Sequence, residues 1–196
     1  MVTQDEAASA EAPRADASAA SEATDPAPEA DKRGAEPDPR DVARQIVLRQ
    51  LAMAPRSRAE LQQKLTQRGC APEVAGSVLD RMTQVGLVDD EAYAHMLVRT
   101  QQAGRGLARR ALARELRNKG IDSDLADEAL SSISDEDERD RARALVDKKL
   151  KAMHGLGLEV QTRRLAGMLA RKGYSPNLTY AVIREAIADA PEHLPD

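Results

Sequence analysis

The sequence contains no phenylalanine and no tryptophan, and its aromatic residues are three tyrosines, Tyr93, Tyr174 and Tyr180. A hydrophobic core must therefore be assembled from Leu, Val, Ile, Met and Ala, which allow close helix contacts but bury less area per residue than aromatic rings. Modest stability and an extended shape are expected. A single cysteine, Cys70, excludes an intramolecular disulfide and suits a reducing compartment. No base stands near Cys70 in sequence, so it reads as a small buried hydrophobe and not as a nucleophile. No apolar run approaches the ~20 residues needed to span a bilayer. The N-terminus lacks the charged start and apolar centre of a secretory signal. A soluble, cytoplasmic protein is expected.

Signals for chemistry are equally scarce. His95, His154 and His193 lie far apart in sequence, without the close His or Cys spacing of a local metal site. Gly155 and Gly157 have the spacing of the first two glycines of a dinucleotide loop, but the third glycine is missing and no strand precedes them. There is no phosphate loop of the G-x4-G-K-S/T type. No catalytic residue, metal or cofactor is expected, and the chain is not read as an enzyme.

What is abundant is charge, unevenly distributed. The first 39 residues are mostly Ala, Pro, Ser, Asp and Glu, a composition that cannot bury enough surface to offset ordering entropy. They hold ten acids and three bases, a net of −7 against −4 for the whole chain, so residues 40–196 carry +3. The acidic balance belongs to a disordered tail over 1–39. The body that follows is mildly basic, and residues 191–196 read as a short C-terminal tail.

The body is built on a threefold repeat. Leu61, Leu65, Gly69, Val74 and Leu79 return as Leu112, Leu116, Gly120, Leu125 and Leu130, and again as Leu165, Leu169, Gly173, Leu178 and Ile183. The internal offsets are identical, and successive copies lie 51 and 53 residues apart. Such self-similarity marks stacked supersecondary units, each too small to bury its own apolar face. Apolar spacing is helical throughout and no stretch alternates with period two. The reading is all-α: nine helices in three tandem three-helix repeats over 40–87, 88–134 and 135–190.

Local punctuation supports the helices. In the first repeat they are expected over Val42 to Met53, Arg58 to Arg68 and Pro72 to Val85. Ser57 and Glu60 form a capping box, Gly69 ends a helix and Pro72 opens the next. Gly173, Ser175 and Pro176 repeat that grammar, and Asp122 or Ser123 caps after Gly120. Asp135 to Lys151 reads as a helix with acids in its first turn and lysines in its last, complementing the helix dipole. That complementarity accounts for its charge run without a binding role.

The most suggestive surface lies between Arg99 and Lys119. Arg99, Arg105, Arg109, Arg110, Arg114, Arg117 and Lys119 face a single acid, Glu115. On a helix from Gly106 onward, Arg109, Arg110, Arg114 and Arg117 share an arc of roughly 140° at 100° per residue. Leu107, Ala108, Ala111, Leu112 and Leu116 lie opposite. Such a guanidinium face fits phosphates or an acidic protein groove. Arg163 and Arg164, with Arg171 and Lys172, extend the candidate surface. The segment Gly86-Leu87-Val88-Asp89-Asp90-Glu91-Ala92-Tyr93-Ala94 joins the first two repeats. Gly86 is expected to end a helix, Leu87 and Val88 to anchor the turn, and Asp90 to cap the next helix. Asp89 is a second cap or an arginine partner, and Tyr93 packs on the preceding repeat with its hydroxyl on a polar neighbour.

This segment, with Arg58, Glu60, Leu61 and Leu65 before it and Gly106, Glu115, Leu116, Lys119, Gly120 and Ile121 after it, resembles the RecX regulatory proteins over about residues 41–190. The resemblance implies three tandem three-helix repeats in an elongated, curved array. It also implies a cytoplasmic, monomeric, non-enzymatic regulator of homologous recombination, DNA repair and the SOS response. Its implied partners are the RecA recombinase and RecA–DNA filaments, with weak non-specific DNA binding and suppression of filament growth, ATP hydrolysis and strand exchange. The acidic tail is not part of that family pattern. Two alternatives come from the residues alone: a helix-turn-helix transcription regulator reading a major groove, and a helical scaffold binding through an apolar groove.

Overall fold

The computed structural model describes residues 38–189. Residues 1–37 of the expected tail over 1–39, residue 190, and the expected tail over 191–196 with His193 lie outside that range, whereas Asp38 and Pro39 are not tail but the cap and first residue of the first helix. Among the described residues there are nine α-helices and no strand. The first group holds α1 (Pro39–Met53), α2 (Arg58–Gln67) and α3 (Pro72–Gln84). The second holds α4 (Asp90–Arg105), α5 (Arg109–Asn118) and α6 (Ser123–Ser131). The third holds α7 (Asp135–Leu150), α8 (Leu158–Arg171) and α9 (Pro176–Ala188), with one 3-10 turn at Lys151–Met153.

The repeated leucines are the reason for the grouping. Leu61 and Leu65, Leu112 and Leu116, and Leu165 and Leu169 are spaced four apart, so each pair points off one face of the second helix. All six are essentially sealed from solvent, as are Leu79 and Ile183 on the third helices. Full burial of such a side chain contributes about 1.5–3 kcal/mol, so each trio of helices is held by a handful of aliphatic contacts. Three separate cores result. Tyr93 joins the second and Tyr174 the third, which leaves Tyr180 as the exposed aromatic.

Capping follows the sequence closely. The Ser57–Glu60 box is formed in both directions, and Ser175 caps α9 through the Leu178 N–H. Asp122 takes the cap of α6. Ser134 and Asp137 form a second box at α7, and their hydrogen bonds hold the Asp137 carboxyl below its ordinary value.

Three local expectations are corrected. Asp89, not Asp90, caps α4, accepting the Ala92 N–H at 2.8 Å. Asp90 instead turns back to accept the Arg58 N–H at 2.8 Å. Val88 is buried but Leu87 is half exposed, because a single residue anchors the turn. No helix runs from Gly106: α4 continues through Arg105, Gly106 takes the left-handed cap, and α5 starts at Arg109. Leu107 and Ala108 are buried in the connection between them.

The groups join through a junction used twice. At the first, the start of α2 meets the start of α4 and the turn after α5. Ser57 Oγ donates to the Lys119 carbonyl at 2.6 Å, Tyr93 donates to Glu60 at 3.1 Å, and Lys119 Nζ donates to Glu60 at 2.6 Å. At the second, the start of α5 meets the start of α7 and the turn after α8. Ala108 N–H donates to the Lys172 carbonyl at 2.9 Å, and Arg109 N–H donates to Glu138 at 2.8 Å. Tyr174 donates to the Gly106 carbonyl at 3.2 Å. In repeat register Ser57 matches Ala108, Arg58 matches Arg109 and Lys119 matches Lys172, so one geometry is realised with different donors. Gly120 and Gly173 lie where these faces touch: a methyl group on them would stand 2.4 Å from Ala59 Cβ and 2.7 Å from Ala111 Cβ, respectively.

Candidate functional site

The arginines singled out by sequence divide between two tasks. Arg109 is bound into the second junction. Its guanidinium donates to the Ile133 carbonyl and pairs with Asp135 at 3.1 Å. Lys119 is bound into the first junction through Glu60. Burial alone would raise the Glu60 carboxyl, but Lys119, the Ser57 N–H and the Tyr93 hydroxyl together hold it below its ordinary value. Burial, followed by the negative charge of Glu60, pushes the Tyr93 phenol up to about 12. Gly86, Asp89, Asp90 and Tyr93 thus lie in and beside the first link between groups.

Arg110, Arg114 and Arg117 are exposed on α5, and no ion pair joins them to another described residue. Arg99 is exposed on α4, while Arg163 and Arg164 are exposed on α8. Arg171 is exposed at the end of α8. The structure does not gather all of these at one place.

It does gather a different set. Between the end of α4, the outer face of α7 and α8 lies a cleft of about 840 Å³. Its walls carry Arg105, Arg141, Lys148, Lys149 and Lys172, and no carboxylate is among the lining residues. Ala144, Leu145 and Met168 contribute apolar surface. Two of the cations are fixed: Arg105 pairs with Glu115 at 2.6 Å, and Lys172 Nζ donates to the Arg105 carbonyl. Lys148 and Lys149 are exposed, and Arg141 holds a buried Nη1 without a hydrogen-bond partner among the described residues. Five cations around one concavity focus a positive potential and attract phosphate or carboxylate groups. The guanidinium adds planar donors that match either.

Three comparisons bear on what this arrangement belongs to. Family models described as the first, second and third three-helix domains of RecX match residues 43–82, 89–130 and 135–183. Together they span most of the chain. It belongs to the RecX family. The regulatory protein RecX of Streptomyces coelicolor is 48% identical over 162 residues, covering 81% of this chain and 86% of that one. That of Thermobifida fusca is 49% identical over 145 residues, covering 74% and 78%. The crystal structure of RecX from Lactobacillus salivarius superposes with a TM-score of 0.68 at 21% identity, covering 76% of this chain and 97% of that one, which speaks for the fold.

Within this RecX chain, sequence reading missed two features. Lys148 and Lys149 were assigned to the dipole of α7 and Arg141 was not singled out, and only the packing of α4 and α8 beside that helix shows all three lining a shared cleft. The signal available was their spacing: Arg141 and Lys148 are seven apart, Lys148 and Arg105 belong to different groups, and only the first relation is local. The second is a group of possible metal ligands, Glu91, His95 and Glu128, whose ligand atoms lie within 4.8 Å of one another. Glu91 and His95 share a face of α4 and Glu128 comes from α6, too remote in sequence for any spacing rule. Among the described residues no helix is long and apolar enough to cross a membrane.

Proposed function

We propose that this RecX-family chain restrains the RecA recombinase: it binds RecA–DNA filaments, opposes their growth and lowers their ATP hydrolysis and strand exchange. The observation that carries the reading is the cleft between the second and third groups, with five cations and no carboxylate. A RecA–DNA filament offers phosphates and acidic protein surface in a periodic array. A chain of three groups joined end to end can bridge neighbouring subunits, so that weak contacts at separate points multiply through effective concentration. The exposed Arg110, Arg114 and Arg117, with Arg99, Arg163, Arg164 and Arg171, supply further contacts along the same polymer. The protein works in the cytoplasm, where that polymer forms, and needs no cofactor.

Co-sedimentation with preformed RecA–DNA filaments tests the proposal. The wild-type chain should pellet with filaments, and a folded Arg141→Glu/Lys148→Glu/Lys149→Glu variant should remain largely in the supernatant. Equal pelleting of the two would exclude the cleft as the contact. Failure of the wild-type chain to pellet would exclude the function.

A further inference from the structure

The first helices of the three groups differ in charge on one matched face. Buried alanine–valine pairs set their register: Ala43 and Val47 in α1, Ala94 and Val98 in α4, and Ala142 and Val146 in α7. The residues three places before each member of a pair therefore correspond. They are Arg40 and Arg44 in the first group and Arg139 and Arg143 in the third, but Glu91 and His95 in the second. In the third group the two arginines fasten α7 to α9, through Glu185 at 2.5 Å and Asp189 at 2.9 Å. The second group keeps an acid on its third helix and lacks the arginines.

That acid is Glu128 on α6. One of its oxygens, an oxygen of Glu91 and a ring nitrogen of His95 lie within 4.8 Å of one another. Glu91 and His95 are four apart, so they stand one above the other on α4. Ala94 on α4 and Ala129 on α6 are sealed in the core that the two helices share, which fixes the backbones carrying the three donors. No hydrogen bond or ion pair joins the three side chains to another described residue. Glu91 and Glu128 bring like charges together, and Asp124 adds a third acid one turn before Glu128. Glu128 also lies in the last turn of α6, where negative charge opposes the helix dipole. Arg99, one turn beyond His95, is exposed and pairs with none of them. The cluster is short of positive charge on the face where the third group supplies it.

We propose that Glu91, His95 and Glu128 bind a divalent transition-metal ion of the zinc type, which supplies the missing positive charge and fastens α4 to α6. One imidazole and two carboxylates suit zinc, whereas magnesium and calcium favour oxygen donors alone. Ligand bonds of about 2.0–2.2 Å set tetrahedral donors about 3.4 Å apart, a spacing the two exposed carboxylates reach by side-chain rotation. With three protein donors, water completes the shell. The site is separate from the basic cleft, and restraint of RecA does not depend on it.

Isothermal titration of zinc into the chelator-treated full chain tests the site. One ion should bind per chain, and zinc should raise the midpoint of thermal unfolding because it binds the folded state. His95→Ala and Glu128→Gln should each weaken binding at least as much as loss of an outer-shell partner does, about 10–100-fold. His95→Arg restores the arginine of the other two groups. It should stay helical, bind no zinc at this site and melt at the same temperature in zinc and in chelator. Absence of saturable binding would overturn the proposal, as would an affinity unchanged in His95→Ala and Glu128→Gln, or a melting shift that persists in His95→Arg. Binding lost instead in Cys70→Ser or His154→Ala would mark an adventitious ion only and refute it equally. So would zinc-dependent dimerisation, which places the ion between two copies. Filament pelleting by the His95→Arg protein reads the proposed function independently of this site.

Discussion

Adding one methyl group at three matched glycines distinguishes backbone strain from contact between groups. Gly69, Gly120 and Gly173 occupy the same repeat position and all have positive φ, 75°, 69° and 91°. An alanine at any of them takes a left-handed conformation at about 1–2 kcal/mol. At Gly69 nothing lies within 4 Å of the new methyl group, so that cost stands alone. At Gly120 the methyl group would lie 2.4 Å from Ala59 Cβ, and at Gly173 it would lie 2.7 Å from the Ala111 backbone nitrogen. Neither obstacle can rotate away, so overpacking adds about 1–3 kcal/mol. Gly120→Ala and Gly173→Ala should therefore lose about 2–5 kcal/mol, against about 1–2 for Gly69→Ala. Urea unfolding followed by far-ultraviolet circular dichroism reads the difference as lower midpoints for the two junction variants. Ala59→Gly should recover part of the loss in Gly120→Ala and none of it in Gly173→Ala, a coupling of about 1–3 kcal/mol. Three equal losses, or no recovery, would refute the close contacts at the two junctions.

Other outcomes follow from the same contacts. The Glu60 carboxyl titrates below its ordinary value of 4.5, so its contribution to stability is present above that pH and is lost as pH falls through the lowered value. Glu60→Gln should flatten that part of the acid-unfolding curve, and an unchanged curve would contradict the pairing with Lys119. Tyr93 and Tyr174 titrate near 12, both chiefly because of burial, so their contribution is complete below 10 and disappears as pH rises through about 12. Absorbance at alkaline pH should show two phenols ionising together with loss of helicity; two early, independent titrations would oppose this. Reversing Arg141, Lys148 and Lys149 should reduce the salt dependence of DNA binding by about 0.9 in log–log slope per phosphate contact removed. The same reversal at Arg109 should instead destabilise the fold, because that guanidinium holds Ile133 and Asp135.

The leucine spacing, the capping boxes and the glycine stops are local relations, which is why the three helical groups were legible in the chain. The partner of Tyr93 was foreseen only as polar, and Glu60 proved to be 33 positions away. Asp89 and Asp90 were interchanged because either can cap a helix, and only the approach of α2 decides that Asp90 serves Arg58. The basic surface was found in part. Arg105 and Lys172 do line a shared cleft, yet Lys148 and Lys149 were explained fully by the dipole of their own helix. A local explanation that suffices conceals a tertiary role, and the sequence alone carries no sign that α4 and α8 stand beside those lysines.

DNA-stimulated ATP hydrolysis by RecA, with the full chain titrated in, tests the central claim most directly. Inhibition should be complete well below one molecule per recombinase subunit, and the folded Arg141→Glu/Lys148→Glu/Lys149→Glu variant should require far more protein. Hydrolysis that continues unchanged in the presence of the folded wild-type chain would contradict the account.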